Sequence, residues 1–451
     1  MLTLLGGLPA EDDLKARLER GMAAAAAGDC ETAVPQLAPV ARANPKLAPA
    51  LNALGVCEAR LGHLDRANAL FRKLVELEPS VWQGWNNLGG NYLALGSPRE
   101  AAEAFQKGLK LNPGAASMWF QLGIAESKLG LLPDAFKAFD KAQQLAPKDR
   151  EIVKHWVETA EQIASRAAEL INQRKYAEAL PPLRLVRRPL EVSASWHNLS
   201  GYAEFKAGEP AAALTHLKKA LDMEPDNEDY LADVGEFLAS HDANQQLLEV
   251  FEVAAKRLPH SSRVKFGLAV AYILQDRRDE ATERLETLVH SDPAFEPAYR
   301  ALGECYEDAS RFDDMITLGR RLQQVNPRNQ AGFYLEGAGA LGRSRRGERD
   351  VEQALSALSR SIELDPSMPR SHFQLARAYE EAGRIGQAVE SLKKTIELDP
   401  QHGRAHYVLG RLYQRLGEPQ LAKQELEAHR RIKEEDRKAT YRRLLIVSRN
   451  Q

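Results

Sequence analysis

What this 451-residue chain lacks narrows its class first. It has only three cysteines, Cys30, Cys57 and Cys305. So sparse and odd a set argues against a disulfide framework, and with no C-x-x-C pair it spells no cysteine zinc site. No apolar run approaches the roughly 18 residues that cross a bilayer, so no membrane span is expected. Basic and acidic residues nearly cancel, 61 against 63, which lacks the surplus of a nucleic-acid binder, and no nucleic-acid partner is expected. There is no Walker A pattern and no H-E-x-x-H, and the eleven histidines are scattered, so neither metal nor cofactor is expected. The opening MLTLLGGLPA has no basic start and only a short apolar run, unlike a secretory signal. A cytoplasmic location is favoured on that ground, and an extracytoplasmic one if this stretch is the remnant of a longer signal.

What the chain has is internal repetition. WNNLGGNYLALG places Trp85, Leu88, Gly89 and Tyr92 on one helical spacing, followed by Ala101, Phe105 and Pro113. Thirty-four residues later come Trp119, Leu122, Gly123, Ala135, Phe139 and Pro147, and thirty-four earlier Leu51, Leu54, Gly55, Ala67, Phe71 and Pro79. The closing prolines, from Pro45 to Pro400, keep mostly this period, stretched by ten residues between Pro147 and Pro225 and by five between Pro327 and Pro366. Twelve repeats result, beginning near 14, 48, 82, 116, 160, 193, 228, 262, 296, 330, 369 and 403. Thirty-four residues accommodate two helices of three to four turns with short connections. Gly96, Gly130, Gly208, Gly383 and Gly417 stand where first helices should end, and the prolines stop the second helices.

The motif W-x2-L-G-x2-Y, A-x3-F, P resembles the tetratricopeptide repeat (TPR). The resemblance implies an all-α fold, a right-handed α-solenoid whose first helices line a concave, peptide-binding face. The position of Gly89 is Gly or Ala in all twelve repeats, against helix propensity, so close packing of the paired helix is its expected cause. The organisation read from the chain is an N-terminal extension (1–13), a regular array (14–147), a long helix with an irregular repeat and a bend (148–192), a second array (193–436) and a C-terminal capping helix (437–451). One helix is expected from about Asp149 to Gln173. Tyr441, Leu444, Leu445 and Val447 are expected to cover the end of the array. The inserted GRSRRGERD should hold Arg343, Arg345, Arg346 and Arg349 on a solvated loop.

Some features look chemical and are not read so. GAGALG, Gly337 to Gly342, matches G-x-G-x-x-G but follows no strand and lies within a first helix. His372 and His406 take the tryptophan position of their repeats and are read as packing residues. Asn198-Leu199-Ser200 matches the glycosylation triplet but lies in a helix.

Carried over by register, the family's groove positions give Asn87, Gln121, Asn198 and Gln374 as carboxamides that could hold a peptide backbone, an incomplete ladder interrupted by Ala53, Ala301 and Val408. Asp229, Glu236, Glu304, Glu307 and Asp308 make the central groove acidic; Arg370, Arg377, Arg404, Arg411 and Arg415 make its C-terminal end basic. Residues 370–451 carry 17 basic and 11 acidic residues, the rest a net −8. Solvated faces with local ion pairs are the alternative reading. The Lys, Asn and Arg set of chaperone-binding members fits no three consecutive repeats. The expected function is a non-enzymatic scaffold that binds a peptide or extended protein segment in the groove. The alternative is a self-assembling spacer or noncatalytic subunit.

Overall fold

The computed structural model describes residues 9–344 and 351–435. Among the described residues are 25 α-helices and no strand. The chain divides into two compact units, residues 1–208 and 209–451. The first holds α1 (Pro9–Ala26), α2 (Cys30–Ala43), α3 (Ala48–Arg60), α4 (Leu64–Leu77), α5 (Trp82–Ala94), α6 (Pro98–Leu111), α7 (Ala116–Lys128), α8 (Leu132–Leu145), α9 (Arg150–Asn172), α10 (Tyr176–Leu185), α11 (Arg187–Leu190) and α12 (Ala194–Ala207). The second holds α13 (Pro210–Met223), α14 (Glu228–Ser240), α15 (Asn244–Arg257), α16 (Ser262–Leu274), α17 (Arg278–Ser291), α18 (Glu296–Asp308), α19 (Phe312–Val325), α20 (Gln330–Ser344), α21 (Val351–Leu364), α22 (Pro369–Glu381), α23 (Ile385–Leu398), α24 (Gly403–Arg415) and α25 (Pro419–Glu435). No helix of the described residues is long and apolar enough to cross a membrane. The expected cap and Arg345, Arg346 and Arg349 lie outside the described residues.

The repeat register read from the sequence is the register of the helices. Repeats starting at 48, 82, 116, 228, 262, 296, 330, 369 and 403 open on the first residue of α3, α5, α7, α14, α16, α18, α20, α22 and α24. First helices end in a residue at positive φ, which only glycine adopts without strain. Gly28, Gly62, Gly96, Gly130, Gly208, Gly383 and Gly417 do this, and Arg174, Asp242, Asp276 and Ser310 take the same turn where glycine is missing.

The packing glycines meet a large side chain of the partner helix. A Cβ on Gly55 would lie 2.7 Å from the Phe71 ring, on Gly89 2.7 Å from Phe105, and on Gly123 2.6 Å from Phe139. These rings are buried, as are Ala67, Ala101 and Ala135 beside them. The glycine therefore makes room for the ring rather than for a bare backbone contact. A Cβ on Gly90, one residue on, would meet nothing.

The ten-residue excess appears as α9, a 23-residue helix capped by Asp149, whose carboxylate accepts from the Glu151 and Ile152 amides at 3.0 and 3.3 Å. Its partner α10 is short and carries Pro181 and Pro182 inside it. After it, Arg188 pairs with Asp140 at 2.6 Å and covers the Trp156 ring, fastening the irregular repeat to α8 and α9.

The second unit departs from this pattern at α19. Gly319 stands where repeats two to four have phenylalanine. A Cβ there would lie 2.6 Å from the Glu336 amide nitrogen and the Gly332 carbonyl oxygen, so α19 and α20 touch backbone to backbone. The GAGALG glycines serve the same closeness. Gly337 faces Leu358, Gly339 faces Ile316 and the Phe312 carbonyl, and Gly342 faces the Phe312 ring. The motif is helix packing on two sides.

Candidate functional site

The expected site residues all lie on first helices, and they fall into separate groups. In the first unit, Asn87 on α5 donates from Nδ2 to Oδ1 of Asn52 on α3 at 2.8 Å, an amide-to-amide link between adjacent repeats. Gln121 on α7 is half-buried, and Asn198 on α12 is buried at 9% exposure. The carboxamides thus do not present one continuous row: one bonds within the structure and another is withdrawn from solvent.

In the second unit, Asp229 on α14 pairs with Arg263 of α16 at 2.8 Å, and Glu236 on the same helix is half-buried. At the far end, Arg411 and Arg415 on α24 both reach the Glu380 carboxylate on α22, at 2.5 and 3.3 Å. Glu380 is 13% exposed, so these two arginines neutralise a nearly buried carboxylate. Sequence register assigned them to the groove without showing this partner.

Six of the fourteen residues come together. Glu304, Glu307, Arg370, Gln374, Arg377 and Arg404 line a cavity of about 360 Å³, open to solvent, carried by α18, α20, α22 and α24. A second, much smaller hollow of about 30 Å³ adjoins it and shares Glu304, Glu307, Tyr334, Met368 and Arg370. Bordering both, Arg370 Nη1 donates to Glu304 Oε1 at 2.6 Å. Arg377 donates to the buried Gln374 Oε1 at 2.9 Å and lies over the Phe373 ring.

Register reasoning did not find Tyr334 or His402. Burial pushes the Tyr334 hydroxyl above the usual phenol range; Glu307 and Glu304 push the same way, and Arg370 and Gln374 oppose. His402 caps α24, its Nδ1 accepting from the Ala405 amide at 3.1 Å, which leaves the proton on Nε2. Burial holds this histidine below its ordinary value, Arg370 and Arg404 add to that, and Asp399 opposes. Its neutral ring packs on Phe373 at 4.7 Å. The cavity therefore has an acidic wall on α18, a basic wall on α22 and α24, and an aromatic floor. Among the described residues, no group of three or more His, Cys, Asp or Glu is placed to hold a metal.

The histidines at the tryptophan position have a structural task. Trp85 and Trp119 donate from Nε1 to the Pro79 and Pro113 carbonyls at 2.9 Å. His372 and His406 set Nε2 on the Pro366 and Pro400 carbonyls at 2.9 and 3.1 Å. An imidazole N–H here replaces an indole N–H six residues after the closing proline.

Two family models described as tetratricopeptide repeat match residues 18–81, 86–150, 165–228 and 340–394, and residues 238–305 and 380–445. The chain belongs to the tetratricopeptide-repeat family. Among the stretches these models leave out, 151–164 contains the body of α9, and 306–339 contains α19 and most of the closely packed α20. No curated protein matches the chain. Solved structures similar to it include the yeast Tom70, 17% identical, covering 90% of this chain and 97% of that one with a TM-score of 0.45. A MamA protein is 18% identical over 49% of this chain and 96% of its own, with a TM-score of 0.29. A Naa15/Naa10 structure bound to HypK-THB is 16% identical over 92% and 68%, with a TM-score of 0.31. The TPR array is an all-α solenoid of helix pairs, and family membership supports a protein-interaction scaffold in general terms.

Proposed function

We propose that this TPR protein is a non-enzymatic scaffold that captures a peptide or extended segment of a partner protein on its first helices, centred on the cavity of α18, α20, α22 and α24. The observation that carries this reading is the convergence of Glu304, Arg370, Gln374, Arg377 and Arg404 around one open cavity of about 360 Å³. Such a volume, with an aromatic floor and charged walls, suits an apolar anchor flanked by polar contacts. The first unit adds a face on which Gly90 leaves open space near Asn87.

The test is affinity purification of the intact protein followed by mass spectrometry, wild type against Arg377→Glu/Arg404→Glu. We expect the principal partners to be lost from the double variant. An unchanged partner list would remove the cavity from consideration. Arg411→Glu/Arg415→Glu serves as a control for stability, because those side chains hold Glu380.

A further inference from the structure

The Arg370–Glu304 pair spans two repeats. The two residues are 66 apart in sequence, on α22 and α18, with α20 between them. Their side chains are 59% and 31% exposed. An ion pair so accessible to water contributes little to stability and exchanges partners readily. It also borders both hollows, so a ligand side chain that seats against Glu304 or Arg370 in the larger one must displace it.

Opening the pair leaves a carboxylate and a guanidinium without partners inside a cavity. A ligand of one sign would satisfy one of them and, by covering the other, leave it both unpaired and out of water, which opposes binding. A ligand carrying both signs satisfies both. The surroundings are arranged for that exchange: Glu307 stands beside Glu304 on the α18 wall, and Arg404 stands on the α24 side with Arg370. Among the described residues, neither Glu307 nor Arg404 takes part in an ion pair of its own.

We propose that Arg370–Glu304 is an exchangeable latch and that the cavity takes a segment of mixed charge. A basic residue of the partner replaces Arg370 at Glu304 and Glu307, and an acidic residue replaces Glu304 at Arg370 and Arg404. The separation of the two walls then sets the direction of the bound chain. This rests on the groove-binding reading above and specifies its ligand.

The experiment uses the full chain and four short fluorescent peptides on one apolar frame: mixed-charge, all-glutamate, all-lysine and all-glutamine. Each carries a benzophenone for photo-crosslinking. Anisotropy is measured with wild type, Glu304→Gln and Arg370→Gln, after circular dichroism shows that both variants fold. Wild type should favour the mixed-charge peptide over the glutamine peptide by about tenfold. Glu304→Gln should turn the preference toward the glutamate peptide, and Arg370→Gln toward the lysine peptide, each by about fivefold. Crosslinks should fall on α18, α20, α22 and α24. If neither variant changes the charge preference while crosslinks stay on these helices, the pair is a fixed strut; the latch is overturned and the groove reading stands. Crosslinks confined to other helices overturn both.

Discussion

Repeats two to four and repeats nine to ten begin from the same motif and pack differently. In the first set each small first-helix residue faces a phenylalanine of its own partner helix, and the ring spaces the pair. In repeat nine the ring is replaced by Gly319, and α20 moves against the backbone of α19. Gly303 then faces Leu335 of the next first helix. The polar links differ in the same sense. Asn87 reaches an adjacent repeat, 35 residues away, whereas Arg370 reaches Glu304 across a whole one, 66 residues away. Without the ring, α19 lies against the backbone of α20, and the two hollows are lined by residues of α18, α20 and α22 beside that contact.

Restoring the ring is the most severe way to break that contrast. Gly319→Phe places an aromatic side chain where even a Cβ would lie 2.6 Å from two backbone atoms, and backbone cannot turn aside as a side chain can. The expected loss is above about 4 kcal/mol, seen in urea denaturation as early unfolding of the second unit. A variant as stable as wild type would mean that the closeness of α19 and α20 is incidental.

A smaller contrast lies within the first unit. Glu58 and Glu126 occupy equivalent places two repeats apart, and both are nearly buried. Glu58 has His63 Nδ1 at 2.6 Å and Arg66 at 3.9 Å. The residues in those places around Glu126 are Leu131 and Asp134. Glu126 Oε2 has no hydrogen-bond partner. Burial, then the Asp134 charge, pushes its carboxyl up to about 7, against Gln106 and Lys137. Because the folded value lies above the unfolded 4.5, stability is fully present below pH 4.5 and is lost as pH rises to 7. That shift corresponds to on the order of 3 kcal/mol at pH 8. Glu126→Gln should remove the loss: equal melting to wild type near pH 4, clearly higher melting at pH 8. Parallel pH profiles would show that Glu126 is not the source.

These cases separate what sequence could disclose from what it could not. Helix starts were legible because Pro, Gly and the W-L-G-Y spacing are local signals that each repeat restates. His372 and His406 were legible as packing residues because they stand in a known register. The Glu380 clamp, the Arg370–Glu304 pair and the burial of Asn198 were not, because register gives a face of one helix and says nothing of how far its neighbours approach. Gly319 was visible as a letter. Its consequence depends on Gly332 and Glu336, on the next helix.

The mildest contrast concerns the turn after each first helix. Gly96 and Gly130 take it at φ 73° and 75°, and Arg174 takes it at 62°. For a residue with a Cβ, that conformation costs roughly 1–2 kcal/mol, since the Cβ crowds the following carbonyl. Glycine avoids the crowding but loses more chain entropy on folding, which offsets part of the gain. Arg174→Gly should therefore stabilise the first unit by about 1 kcal/mol, and Gly96→Arg should destabilise it by a similar amount. Asp242 takes the turn at φ 56°, and Asp242→Gly should gain less, because a short acidic side chain tolerates this region better than arginine does. Thermal unfolding of the three variants decides it. An Arg174→Gly protein that melts below wild type would show that the arginine side chain contributes contacts outweighing the strain of its backbone.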